Sequence, residues 1–145
     1  MRTKEFLSQL DHDRIVSAIK FAETITSGQI RVYIQRGELE GDALVEAQAK
    51  FNPLGMEKTN ERNGILIFVA PRAQKFAVVG DSGIHEKCGP EFWDSLVGAV
   101  REHFLNSNFT EGLVGAIEEA GRILARHFPK GATPQNELPD EIVEG

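Results

Sequence analysis

After Asp11, apolar residues recur at three- and four-residue spacing through Ile15, Ala18, Ile19, Ala22 and Ile25, which places them on one stripe of a helix that Ser27 and Gly28 end. The period then changes. Over residues 29–35, Ile30, Val32 and Ile34 alternate with Arg31, Tyr33 and Gln35, and this alternation with β-branched residues predicts a first strand. Gly37 and Gly41 interrupt it, Ala43, Leu44, Ala47 and Phe51 mark a second helix stopping before Pro53, and residues 52–61 read as loop.

The run Ile65, Leu66, Ile67, Phe68, Val69, Ala70 has no polar face, the pattern of a central strand covered by helices on both sides. A short turn over residues 71–74 and a second apolar run over 76–79, ended by Gly80, predict an antiparallel hairpin. Gly83, Gly89 and Pro90 read as a connecting loop. From Pro90 a third helical stripe buries Phe92, Trp93, Leu96, Val97, Val100 and Phe104. Asn108 with Glu111 resembles a capping pair for a fourth stripe through Leu113, Ile117, Ala120, Leu124 and Phe128. The pattern therefore describes an α/β fold of about four helices and a small sheet, one domain over residues 1–130. Residues 131–145 hold four acids, two prolines and no base, the composition of an exposed acidic tail in which Ile142 and Val143 retain the capacity to dock locally.

Connection lengths add a topology. A strand, helix, strand sequence returns the chain to the edge where it started and gives a parallel pair, whereas the short hairpin makes the third strand antiparallel, so the sheet is mixed. The starts of the first two strands and the end of the third then share one rim. This rim gathers Gln29, Asn63 and Asp81, with Glu23, Glu61, His85 and Glu86 as further candidates, among glycines that permit close backbone approach. Side-chain oxygens with backbone carbonyls suit a hard cation, calcium or magnesium. The same residue types also serve plain polar turns, and the pattern leaves both readings open.

Composition narrows the partners. At 145 residues and 41% apolar the chain encloses one core. The 22 acidic and 16 basic residues leave a net charge of −6 with no dense Lys and Arg stretch, which argues against nucleic acid. No apolar run approaches the roughly 20 residues of a membrane span, no signal segment opens the chain, and one cysteine, Cys88, builds no disulfide, so a cytoplasmic protein without membrane insertion is expected. Gly80-Asp81-Ser82-Gly83 echoes the nucleophile loop of chymotrypsin-like proteases, but the chain is too short for paired barrels. Asp11-His12-Asp13 precedes a helix and reads as a cap, and Asp94 stands where a cysteine-phosphatase loop needs arginine. His103 and His127 have no partner at metal-ligand spacing.

Thr26-Ser27-Gly28-Gln29-Ile30-Arg31-Val32, Arg62-Asn63-Gly64-Ile65-Leu66-Ile67 and Val79-Gly80-Asp81-Ser82-Gly83-Ile84-His85, with Glu91-Phe92-Trp93 and Phe109-Thr110-Glu111-Gly112-Leu113, together resemble the TPM domain family over roughly residues 5–130. The resemblance implies a three-layer α/β sandwich in which helices flank a small mixed sheet. It also implies two functional classes, since plant thylakoid members are assigned acid phosphatase activity and others bind calcium. Where the family reads Ser-Gly-Glu this chain has Gln29, and where it often has Asp before Asn-Gly this chain has Arg62, so the rim carries less negative charge than its relatives. The expectation is a weak calcium-binding or partner-binding module, with Asp81, Asn63 and Gln29 as cation ligands. Arg62 and His85 would contact a phosphate or an as yet unspecified protein partner. The alternative is a metal-assisted phosphatase acting on small phosphorylated ligands.

Overall fold

The computed structural model describes residues 1–89, 91–130 and 142–145. Over these the chain runs α1 (Thr3–Ser8), α2 (His12–Ile25), β1 (Gln29–Ile34), α3 (Ala43–Phe51), β2 (Gly64–Ala70), β3 (Lys75–Gly80), α4 (Ser82–Cys88), α5 (Glu91–Leu105), α6 (Phe109–His127) and β4 (Val143–Glu144). The sheet order is β3-β2-β1-β4. β1 pairs parallel with β2, Gln29 opposite Gly64, and β2 pairs antiparallel with β3, Ile65 opposite Gly80. The mixed topology read from connection lengths is the one observed.

β2 is buried at every position. Because successive strand side chains point to opposite faces, Ile65, Ile67 and Val69 enter one core and Leu66, Phe68 and Ala70 the other. The first core is closed by α2, α5 and α6 through residues such as Ile19, Leu96 and Ile117. The second is closed by α3 through Ala47 and Phe51, with Tyr33 stacked on Phe68 at 5.6 Å between ring centroids. Helices therefore cover both faces of a small sheet, a three-layer α/β arrangement. Among the described residues no helix is long and apolar enough to cross a membrane.

Several local expectations need correction. The described helices number six where about four were expected, and the additional ones are short. α1 escapes a periodicity search because six residues hold it by one aromatic anchor, Phe6, which lies against Phe109 at 4.8 Å. α4 replaces part of the expected connecting loop, and it escapes the sequence pattern because seven residues with Ile84 as the single fully buried side chain make no stripe. The loop before β2 is also less loose than expected, since a 3-10 turn at Met56–Lys58 buries Met56 completely. Asp11 caps α2 as expected, accepting from Arg14 N at 3.1 Å. The capping pair at α6 does not form: Asn108 makes no side-chain cap bond, and Glu111 instead pairs with Arg14 on α2. That pairing holds the Glu111 carboxyl below its ordinary range, through the Arg14 hydrogen bond first. The expected helix start at Pro90 lies outside the described residues, as does most of the expected acidic tail. The last described residues pair with β1, Tyr33 opposite Val143, and Arg36 reaches Glu144 at 2.9 Å.

Two-sided burial of β2 sets a measurable expectation. Ile67→Ala and Phe68→Ala, neighbours on opposite faces, should each lower unfolding free energy in urea, by about 2–5 and about 3–5 kcal/mol respectively. A sheet solvated on one face would make one of the two nearly silent.

Candidate functional site

Four segments converge at the rim where β1 and β2 begin and β3 ends. Gln29 N donates to Asn63 O at 3.3 Å, and Asp81 N donates to Gly64 O at 3.0 Å. The end of α6 closes the rim: Ser27 N donates to Phe128 O at 3.0 Å, and the Thr26 hydroxyl donates to the same carbonyl. Gln29, Asn63 and Asp81 are thus brought together and all are buried, at 0%, 0% and 5% exposure. Glu61, Arg62, Ser82 and His85 stand exposed around them.

Arg62 adopts a left-handed backbone, φ 52°, one of three non-glycine residues described in that region. This bend turns its carbonyl toward α4, where it accepts from Gly83 N at 2.9 Å. Gly83 is required by that approach. A Cβ there would lie 2.3 Å from Glu61 O and 2.7 Å from Arg62 O, both backbone atoms. Gly80 faces a comparable limit, since its Cβ would meet the Trp93 ring at 2.2 Å. The glycines of Gly80-Asp81-Ser82-Gly83 are thus explained by packing, with no nucleophile loop involved.

Asp81 has two partners. One oxygen accepts from Ser82 N at 2.7 Å and caps α4, and the other accepts from Arg62 Nε at 2.7 Å. The pair joins a buried carboxylate to a half-exposed guanidinium, with side-chain exposures of 4% and 52%. The hydrogen bond to Asp81, then its charge, raises the Arg62 pKa further above its ordinary value. The rim's most buried carboxylate therefore carries an internal counter-charge.

Asn63 forms a second cluster. Its amide nitrogen donates to Ser27 Oγ at 3.1 Å and Glu61 Oε2 at 3.2 Å, and the Ser27 hydroxyl donates to Glu61 Oε2 at 2.7 Å. Asn63 Oδ1 is buried and accepts no hydrogen bond among the described residues. A buried acceptor left in that state costs about 1–3 kcal/mol, which favours anything that brings it a donor or a cation. Glu23 is buried beside the start of β1 and accepts from Ile30 N at 3.1 Å. His85 lies against the Trp93 indole at 5.4 Å, and Glu86 is exposed on α4.

The donor set fits a hard cation only weakly. Its oxygens come from Asn63, Glu61, Ser27 and Asp81, and among the described residues no three His, Cys, Asp or Glu side chains cluster as metal ligands do. Sequence reasoning missed Ser27 and Thr59. Ser27 carries no signal beyond ending a helix, and Thr59, whose hydroxyl accepts from Asn63 N at 3.0 Å, lies in a segment without periodicity. Burial raises the Cys88 thiol pKa, consistent with an unreactive side chain.

A family model described as TPM domain matches residues 1–123. The chain belongs to the TPM domain family. The BA42 protein from the psychrophilic bacterium Bizionia argentinensis, a solution structure, shares this TPM fold at TM-score 0.86 and 38% identity, covering 94% of this chain and 96% of that one. The N-terminal domain of the cg2496 protein from Corynebacterium glutamicum is similar in fold alone, with TM-score 0.65 and 14% identity over 90% of this chain and 82% of that one. The N-terminal domain of a protein from P. gingivalis is likewise similar in fold alone, with TM-score 0.59 and 14% identity over 79% of this chain and 76% of that one. No curated protein matches the chain.

The close approach at Gly83 predicts opposite outcomes for two alanine substitutions followed by chemical denaturation. Gly83→Ala should destabilise by about 1–3 kcal/mol, because a backbone neighbour cannot rotate away. Gly98→Ala, in an open position within α5, should stabilise by about 0.5–1 kcal/mol.

Proposed function

We propose that this TPM domain is a binding module whose rim takes a divalent cation, calcium by the nature of its oxygen donors, weakly and without turnover. The observation that carries this reading is the buried Asn63 Oδ1 without a hydrogen-bond donor, beside Ser27 and Glu61. Weakness follows from two features. Gln29 contributes no charge, and Asp81 is already neutralised by Arg62 at 2.7 Å. A cation drawing on Asp81 must compete with that guanidinium. Metal-assisted hydrolysis of a phosphomonoester needs a strongly held, activating ion, and the small carboxylate supply speaks for binding over that chemistry. Partner binding at the same rim would use the exposed Arg62 and His85.

Calcium titration followed by amide NMR tests this. Shifts should be confined to residues 26–29, 61–64 and 80–85, with saturation only at the weak end of calcium modules. Asp81→Asn keeps a helix-capping oxygen and should weaken binding, whereas Arg62→Gln removes the competing charge and should tighten it by about threefold to tenfold. Shifts spread evenly over the surface, or a tighter complex on Asp81→Asn, would refute the assignment. Hydrolysis of p-nitrophenyl phosphate that rises with added metal and disappears in Asp81→Asn would favour the phosphatase reading instead.

A further inference from the structure

At the opposite rim, where β2 ends and β3 begins, the molecule carries a groove of about 990 Å³. Its walls include Val69, Phe76, Val97, Phe104 and Leu105. The sequence pattern expected Val97 and Phe104 to be buried, yet both remain partly open, and Leu105 is 79% exposed. Phe104 lies edge-on to Phe76 at 5.6 Å and to Phe109 at 5.5 Å, so the floor is a fixed aromatic surface. Apolar and aromatic side chains make up the larger part of its wall, the kind of lining from which small-ligand sites are built.

Charge selects the ligand. Although the chain carries a net charge of −6, the groove is lined by two cations, Lys75 and Arg101, and one acid, Asp42. Asp42 caps α3, accepting from Leu44 N at 2.8 Å, and keeps its negative charge, while Lys75 Nζ donates to Gly41 O at 3.5 Å. Lys75 and Arg101 are both exposed, and neither forms an ion pair among the described residues. Because its two cationic side chains outnumber its one acid, this largely apolar trough is complementary to a molecule with a hydrocarbon body and one anionic end. We propose that this groove binds an amphipathic carboxylate of the fatty-acid class, its chain against Phe76, Val97 and Phe104 and its carboxylate between Lys75 and Arg101.

Titration of the full chain with 11-(dansylamino)undecanoic acid, read by dansyl emission and amide NMR, tests the proposal. Saturable binding of one ligand is expected, with shifts over residues 69–77 and 97–109. Dodecanoate should displace the probe, and dodecanol should do so at least about tenfold less well, the difference a charge-assisted contact supplies. Lys75→Glu with Arg101→Glu should weaken binding by at least about tenfold while leaving the thermal midpoint nearly unchanged, since both side chains are exposed. Val97→Trp, which fills the trough, should weaken it independently. Equal competition by the alcohol, or affinity unaffected by the charge reversals, would overturn the proposal. So would a dimer in sedimentation that Leu105→Asp dissociates, because a second copy would then occupy the groove.

Discussion

β2 is held from four sides, and that constraint orders the rest of the molecule. Both faces are buried, and both edges are hydrogen-bonded, one parallel to β1 and the other antiparallel to β3. A strand so enclosed cannot slip by one residue without turning its entire side-chain set to the wrong core. Its direction then decides what each end of the sheet can be. At one end three strand termini and the close of α6 meet through backbone hydrogen bonds, and the polar side chains of Gln29, Asn63 and Asp81 collect there. At the other end the hairpin turns tightly through Pro71 and leaves apolar side chains of α5 and β3 only partly covered.

Chemistry at the polar rim is dominated by internal compensation. Asp81 caps α4, pairs with Arg62 and bonds through its backbone to Gly64, so one residue ties helix, loop and sheet together. A buried carboxylate is tolerated when it is paired and hydrogen-bonded, and here the pairing partner reaches in from solvent. The result is a rim with a structural role independent of any ligand. Membership in the TPM family accounts for the architecture, while any function rests on the particular side chains of the rim.

Much of the architecture was legible because it follows from repetition. The alternation around Val32, the continuous run from Ile65 to Ala70 and the helical stripes through Ile19 and Ile117 each repeat a period long enough to be recognised. Connection lengths then implied the parallel and antiparallel pairings, and with them the convergence of Gln29, Asn63 and Asp81. Other features carried no repeating signal. α1 and α4 are too short to repeat a stripe, with Phe6 and Ile84 as their most buried side chains, and β4 is two residues long.

Local sequence by itself determined the four longer helices, the first three strands and which strand was central, because those properties reside in spacing and in the stereochemistry of proline, glycine and β-branched residues. Tertiary structure alone decided the rest. Glu111 left its expected cap for Arg14, Arg62 found Asp81, Gly83 met the carbonyls of residues 61 and 62, and Phe104 was left at the edge of a groove. Each joins or exposes positions distant along the chain. Their energies depend on distance and burial in three dimensions, which no periodicity encodes.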